Sequence, residues 1–208
     1  MKQLFVIMAL ASTMFVNAQG KFEAAMARGL EMMQSAKDAA SKNEAAAFFE
    51  RIGDAEKTQW LPYYYAAMIK TRMAMDKQGG DPDKVAGEAA DLIAKAEKIE
   101  TNSETFCVRN MIGTAHMLVD PMSRWQQYGP ICEKALQDAM QKDPTNPRPY
   151  MLQAMTLRNT PEQFGGGCGV AKPLAEKALA LYASFKPASS FHPSWGKEAV
   201  EALIKNCK

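Results

Sequence analysis

Few residue clusters in this 208-residue chain are of a type and spacing that could do chemistry. The most conspicuous is NTPEQFGGGCG, residues 159–169, where four of the last five positions are glycine. A glycine-rich loop can cradle a phosphate. A P-loop, however, runs from a strand into Gly-Lys-Ser/Thr at the start of a helix. Here the preceding segment has a helical pattern, and Cys168-Gly169-Val170 stands where the Lys and Ser would be. The dinucleotide pattern G-x-G-x-x-G is also missing. A compact turn fits better, because glycine reaches φ > 0 without a steric penalty. Phe164 is then expected to fold back onto the neighbouring helices.

The remaining reactive side chains are sparse. There are two histidines: His116 in a helical stretch beside Ala115, Met117 and Leu118, and His192 before Pro193. Cys107 and His116 are nine residues apart, about 900° around a helix, so they face opposite ways and cannot pair. The serine-nucleophile motif G-x-S-x-G is absent. Asp120 and Asp143 precede prolines, where a carboxylate usually caps or turns. Four cysteines, Cys107, Cys132, Cys168 and Cys207, contain no C-x-x-C pair of the redox or zinc type. We therefore read no catalytic residue, no metal ligand set and no cofactor motif, and expect a non-enzyme. The run Tyr63-Tyr64-Tyr65 is different: successive helical residues point about 100° apart, so the three cannot share one face. Two in the core and one exposed is the expectation, with an aromatic-lined groove for a peptide or small ligand as the alternative.

These residues need a scaffold, and its first part is removable. MKQLFVIMALASTMFVNAQG has one early charge, a short apolar run and small residues before Gln19, which together read as a signal peptide over residues 1–18 with cleavage near Ala18. The product is expected to be periplasmic or secreted, with no membrane span after cleavage. Residues 19–208 suffice for one domain. With 25 basic and 23 acidic side chains and no block of one sign, the chain lacks the clustered basic excess that nucleic acid requires.

Fifteen methionines and many alanines favour helices, and apolar spacing predicts nine of them. Their approximate ranges are 22–40, 43–55, 61–75, 83–99, 104–118, 130–140, 147–157, 170–182 and 194–206. Tyr63, Phe106, Tyr150 and Trp195 recur at spacings of 43, 44 and 45 residues, each placed just inside an odd-numbered helix. One turn later come Ala67, Asn110, Ala154 and Ala199. A large aromatic followed by a small residue lets a neighbouring helix approach, which is the packing logic of stacked helical hairpins. The expected fold is therefore all-α, an α-α superhelix of four hairpins with a C-terminal capping helix.

At KALQDAMQKDPTNPRPYMLQAM the match to a known pattern becomes close. An alanine-rich helix, a D-P-x-N-P junction, then an aromatic and a small residue resembles the boundary between tetratricopeptide repeats. FERIGDAEKTQWLPYYYA, VDPMSRWQQYGP and TPEQFGGGCGVAKPLAEKAL resemble a group of secreted tetratricopeptide-like proteins of Gram-negative bacteria. The repeat is about ten residues longer than the usual ~34, and Asn110 departs from the small-residue position. As a class, the resemblance implies an interaction or scaffold module of the cell envelope with a protein or peptide partner. The alternative is a periplasmic ligand-binding protein working beside a transporter.

The extra length lies inside the hairpins, at 76–84, 119–130 and 159–169. Insertions confined to one rim mark a binding face in repeat arrays, although lengthening a surface loop costs little in itself. Partner-binding candidates on that rim are Arg124, Trp125, Tyr128 and Phe164, of residue types that dominate binding hot spots. If first helices run down and second helices up, Cys168 and Cys207 meet at one rim and pair. Cys107 and Cys132 are then buried free thiols.

Overall fold

The computed structural model describes residues 2–207, with side chains from residue 19 onward. The expected signal peptide, 1–18, lies outside the residues whose side chains are described. Nine α-helices are present among the described residues, with no strand: α1 (Lys2–Ser35), α2 (Ala39–Glu56), α3 (Leu61–Met75), α4 (Pro82–Ile99), α5 (Ser103–Met117), α6 (Pro121–Lys142), α7 (Pro147–Asn159), α8 (Cys168–Ser184) and α9 (Lys197–Asn206). Each helix packs on the next, and α3, α5 and α7 also touch in series. The result is the expected all-α superhelix of four hairpins with α9 as the cap.

Local chemistry explains where the helices start. Asp38 caps α2 by accepting from Ser41 N at 2.8 Å, and Asn102 caps α5 by accepting from Thr105 N at 3.1 Å. In the D-P-x-N-P junction, Asn146 accepts from Arg148 N at 3.0 Å, and Pro147 takes the first helical position, where no N–H is needed. Aromatic-to-small packing holds between hairpins too. The Tyr63 ring lies so close over Gly53 that a Cβ there would stand 2.7 Å from it. The same tyrosine donates to Asp54 at 2.7 Å, and burial with that carboxylate pushes its phenol up to about 12.

Two buried clusters form the core, one over α1–α5 and one over α5–α9, with Met75 and Trp195 packed against both. The expected bridge is present: Cys168 and Cys207 are joined, Cα atoms 5.2 Å apart, while Cys107 and Cys132 are buried free thiols.

Three local expectations are overturned. Residues 121–130 are helix rather than loop. Asp120 caps them by accepting from Ser123 N, Pro121 stands in the first turn, and the helix continues through Pro130. The exposed position of Pro130 lets water reach the carbonyl that loses its N–H partner. Trp195 lies before α9 rather than inside it, because Gly196 turns at φ 112° with no room for a Cβ beside Tyr182 Oη. Phe164 is 68% exposed and does not fold back. Its loop closes without it: Gly167 N donates to Leu157 O at 2.8 Å, and Gly165 and Gly167 take positive φ.

Candidate functional site

All three tyrosines of the run are buried, which corrects the expectation of one exposed phenol. Tyr63 is buried against Gly53 and Asp54 of α2, while Tyr64 and Tyr65 are covered by the chain's own segment 185–196, which returns from α8 across the N-terminal turns of α3 and α7. Tyr65 Oη donates to Phe191 O at 2.7 Å, Trp195 Nε1 donates to Tyr64 Oη at 2.8 Å, and Tyr182 Oη donates to Trp195 O at 2.9 Å. Under this segment sits Arg148, with its side chain 0% exposed. It donates to Glu104 Oε1 at 2.7 Å and to Pro193 O, and its guanidinium lies 4.7 Å from the Phe185 ring centre and 5.3 Å from that of Trp195. Burial raises the Glu104 carboxyl above its usual range even against the pull of Arg148. This cluster is structural, and it leaves no open aromatic groove at that end.

The open apolar concavity lies elsewhere. Helices α4 and α6 both pack on α5 and leave between them a groove of about 540 Å3, within the ~300–1,000 Å3 range of small-molecule sites. Its floor is one stripe of α5: Phe106, Arg109, Ile112, Gly113 and His116. At 1.5 Å per residue that stripe runs about 15 Å. Ala90 and Ile93 of α4 form one wall, and Ile131 and Ala135 of α6 the other. Gly113 permits the close approach of α6, since a Cβ at that position would stand 2.7 Å from Cys132 Sγ.

Because α5 and α6 are antiparallel, the ends of the groove differ chemically. Arg109 and Lys134 stand toward one end. Arg109 forms a two-bond pair with the mostly buried Glu97, whereas Lys134 pairs with Asp138 as an exposed i,i+4 pair. An exposed pair is worth at most ~1 kcal/mol, so Lys134 can exchange Asp138 for a ligand carboxylate at little cost, while Arg109 is held by Glu97 and offers its remaining N–H groups. At the other end the His116 and Tyr128 rings stack, centres 5.2 Å apart at 12°. His116 Nδ1 bonds Asp83 Oδ1 at 2.8 Å, and Arg124 Nη1 donates to the same oxygen at 2.7 Å and to His116 O at 3.0 Å. Those two bonds, Arg124 first, hold the Asp83 carboxyl down at about 2.

The helix over 121–130 separates the four rim candidates. Arg124 and Tyr128, one turn apart, face α5 and belong to the groove end, whereas Trp125 is 56% exposed. Phe164 is exposed on a different loop. Sequence reasoning missed Asp83, Arg109, Ile112, Ile131 and Lys134. A signal existed on α5, where Phe106, Arg109, Gly113 and His116 recur at helical spacing. The partners from α4 and α6 carry none. Among the described residues no helix is long and apolar enough to cross a membrane, and no cluster of three potential metal ligands occurs.

No family model matches the chain, and none of the curated proteins does. The tetratricopeptide pattern thus stands as a likeness of hairpin architecture. Among solved structures the chain is similar to the HusA haemophore from Porphyromonas gingivalis, with a TM-score of 0.80. At 34% identity, covering 90% of this chain and 92% of that one, the likeness extends well beyond the fold, and the chain belongs to the same family as the HusA haemophore.

Proposed function

We propose that this protein is an exported haem-binding protein, and that the α4–α5–α6 groove is where the haem sits. The reading favours the ligand-binding alternative over a scaffold. The observation that carries it is the chemical asymmetry of the groove. A flat macrocycle can lie against Ile93, Ile112 and Ile131, and acidic substituents can reach Arg109 and Lys134 at one end. Apolar contact supplies the affinity, at roughly 25 cal/mol per Å2 removed from water. The charges fix which way round the ring lies. The family relationship to a haemophore supports the same ligand class.

Ile131 gives the test, because it lines the groove yet is half exposed, so a charge there should not unfold the protein. In absorbance titrations with haemin, Ile131→Glu is expected to weaken binding by at least about 30-fold, roughly 2 kcal/mol. Its melting temperature should stay within about 2 °C of the parent, as expected for a surface change of ~0.5 kcal/mol. Unaltered haemin affinity in this variant would refute the groove.

A second reading concerns the rim and rests on the exposure of Trp125, Phe164 and Met122. Large apolar side chains held in water suit a protein partner that receives or delivers the ligand. Trp125→Ala should then leave stability within about 0.5 kcal/mol and haemin affinity unchanged. Transfer of haem to an envelope fraction should slow by about tenfold, or roughly 1.4 kcal/mol. Transfer at the parental rate would remove the rim from consideration.

A further inference from the structure

We infer that segment 185–196 is an acid-sensitive strap, held down at neutral pH and released when His192 gains a proton. The inference does not depend on the α4–α5–α6 groove.

The strap is seated largely through its backbone. Tyr65 Oη, Arg148 Nη2 and Tyr182 Oη donate in turn to the carbonyls of Phe191, Pro193 and Trp195, so alternate carbonyls face the helices. Residues 186–190, just before these anchors, are all exposed. His192 stands between the first two anchors. It is half-buried, with its ring edge-on to Trp60, centres 5.8 Å apart at 71°.

The hydrogen bonds around His192 suit a neutral ring. Ser189 Oγ accepts from Phe191 N at 3.2 Å and lies 2.8 Å from His192 Nδ1. The serine can therefore give its own hydrogen to Nδ1, which a neutral imidazole accepts. A proton on Nδ1 reverses that bond: the serine oxygen must accept from both nitrogens, and its hydrogen loses its acceptor. The turn that presents Phe191 O to Tyr65 is weakened at that point.

The new charge also finds no carboxylate bonded to the ring among the described residues. Glu100, at the end of α4, accepts from Asn102 Nδ2 instead. Glu104 of α5 and Arg148 of α7 are paired with each other, and Arg72 of α3 lies over the Trp195 ring. Burial outweighs the attraction of Glu100 and holds the imidazole below its ordinary value. A group lowered in this way contributes stability above its ordinary value, about 6.5, and loses it as pH falls through the seated one. The raised carboxyl of Glu104 has the opposite sign, so release by acid cannot come from it. Release frees the three donors and uncovers Tyr64 and Tyr65, while the Cys168–Cys207 bridge keeps α9 attached.

Hydrogen exchange of the Phe191 amide and the Trp195 indole N–H, corrected for the intrinsic effect of pH, reads the strap directly. It is measured in the oxidised mature chain at about pH 7.5 and about pH 5, beside a magnetic-resonance titration of the His192 ring. Parental protection at both sites should fall by at least about fivefold on acidification. In His192→Gln, whose side chain stays neutral, it should change by less than about twofold. His192→Lys carries the charge throughout and should be poorly protected at both values. Parental protection that ignores pH would overturn the inference, and so would an acid response retained by His192→Gln. A His192 ring that titrates at or above its ordinary value would overturn it whether or not the variants fold.

Discussion

Replacing Arg148 by methionine should destabilise the protein by about 3–5 kcal/mol at neutral pH, as expected when one partner of a buried ion pair is removed and the other stays behind. Glu104 would lose the guanidinium bonded at 2.7 Å, Pro193 O would lose its donor, and the Phe185 and Trp195 rings would lose the cation between them. The pH dependence gives the mechanism away. The Glu104 carboxyl is already raised in the folded protein because burial outweighs the attraction of Arg148. A group raised on folding contributes stability below its unfolded value and loses it as pH rises through the folded value. Without Arg148 the folded value climbs further, so Glu104 can stay protonated and neutral. The deficit of the variant should therefore shrink steadily as pH is lowered from 7 toward 5. Urea denaturation of both proteins across that range checks it, and a deficit that does not change with pH would mean that lost packing, not charge, dominates.

Opening the Cys168–Cys207 bridge should cost nearly as much. The two residues are 39 apart, and closing a loop of that size removes chain entropy from the unfolded state worth about 4 kcal/mol in the simplest model. For a domain of this size that is a fall of roughly 8–16 °C in melting temperature. Cys207 is buried, so reductant alone should act slowly on the native protein, through opening of α9. Thermal melts of the parent with and without reductant, beside Cys207→Ser, measure the effect. A change below about 1 kcal/mol in both would show that the unfolded chain is already constrained by other means.

Much of the architecture was legible because it is periodic. Tyr63, Phe106 and Tyr150 each open a first helix, and the spacing follows from the length of a hairpin. Trp195 keeps the spacing but not the helix, because its task is to fill the space between Tyr64 and Arg148, which a loop residue can do. The start of α6 was misread because Asp120-Pro121 and Gly129-Pro130 are turn signals when taken locally. In the fold the first pair begins a helix, and the second sits on its exposed side. The groove was largely hidden. Asp83 and His116 are 33 residues apart, and Ile93, Ile112 and Ile131 come from three helices. Each was visible as an apolar or polar residue on a helix, but which faces would be left uncovered depends on how far α4 and α6 stand apart.

The return of segment 185–196 changes the kind of polymer this array is. A repeat solenoid in which units touch only their neighbours unfolds like a one-dimensional chain, fraying from either end. Here hydrogen bonds join Tyr65 to Phe191 and Tyr64 to Trp195 across 126 and 131 residues. The second hairpin cannot loosen without releasing the segment that leads into α9, and α9 cannot leave without uncovering the second hairpin. Contacts of such high order must wait for loop closure before they reward it, which slows folding. Once formed, they couple loss of α9 to loss of the second hairpin, so the hairpins under the segment should open as one cooperative unit rather than one by one.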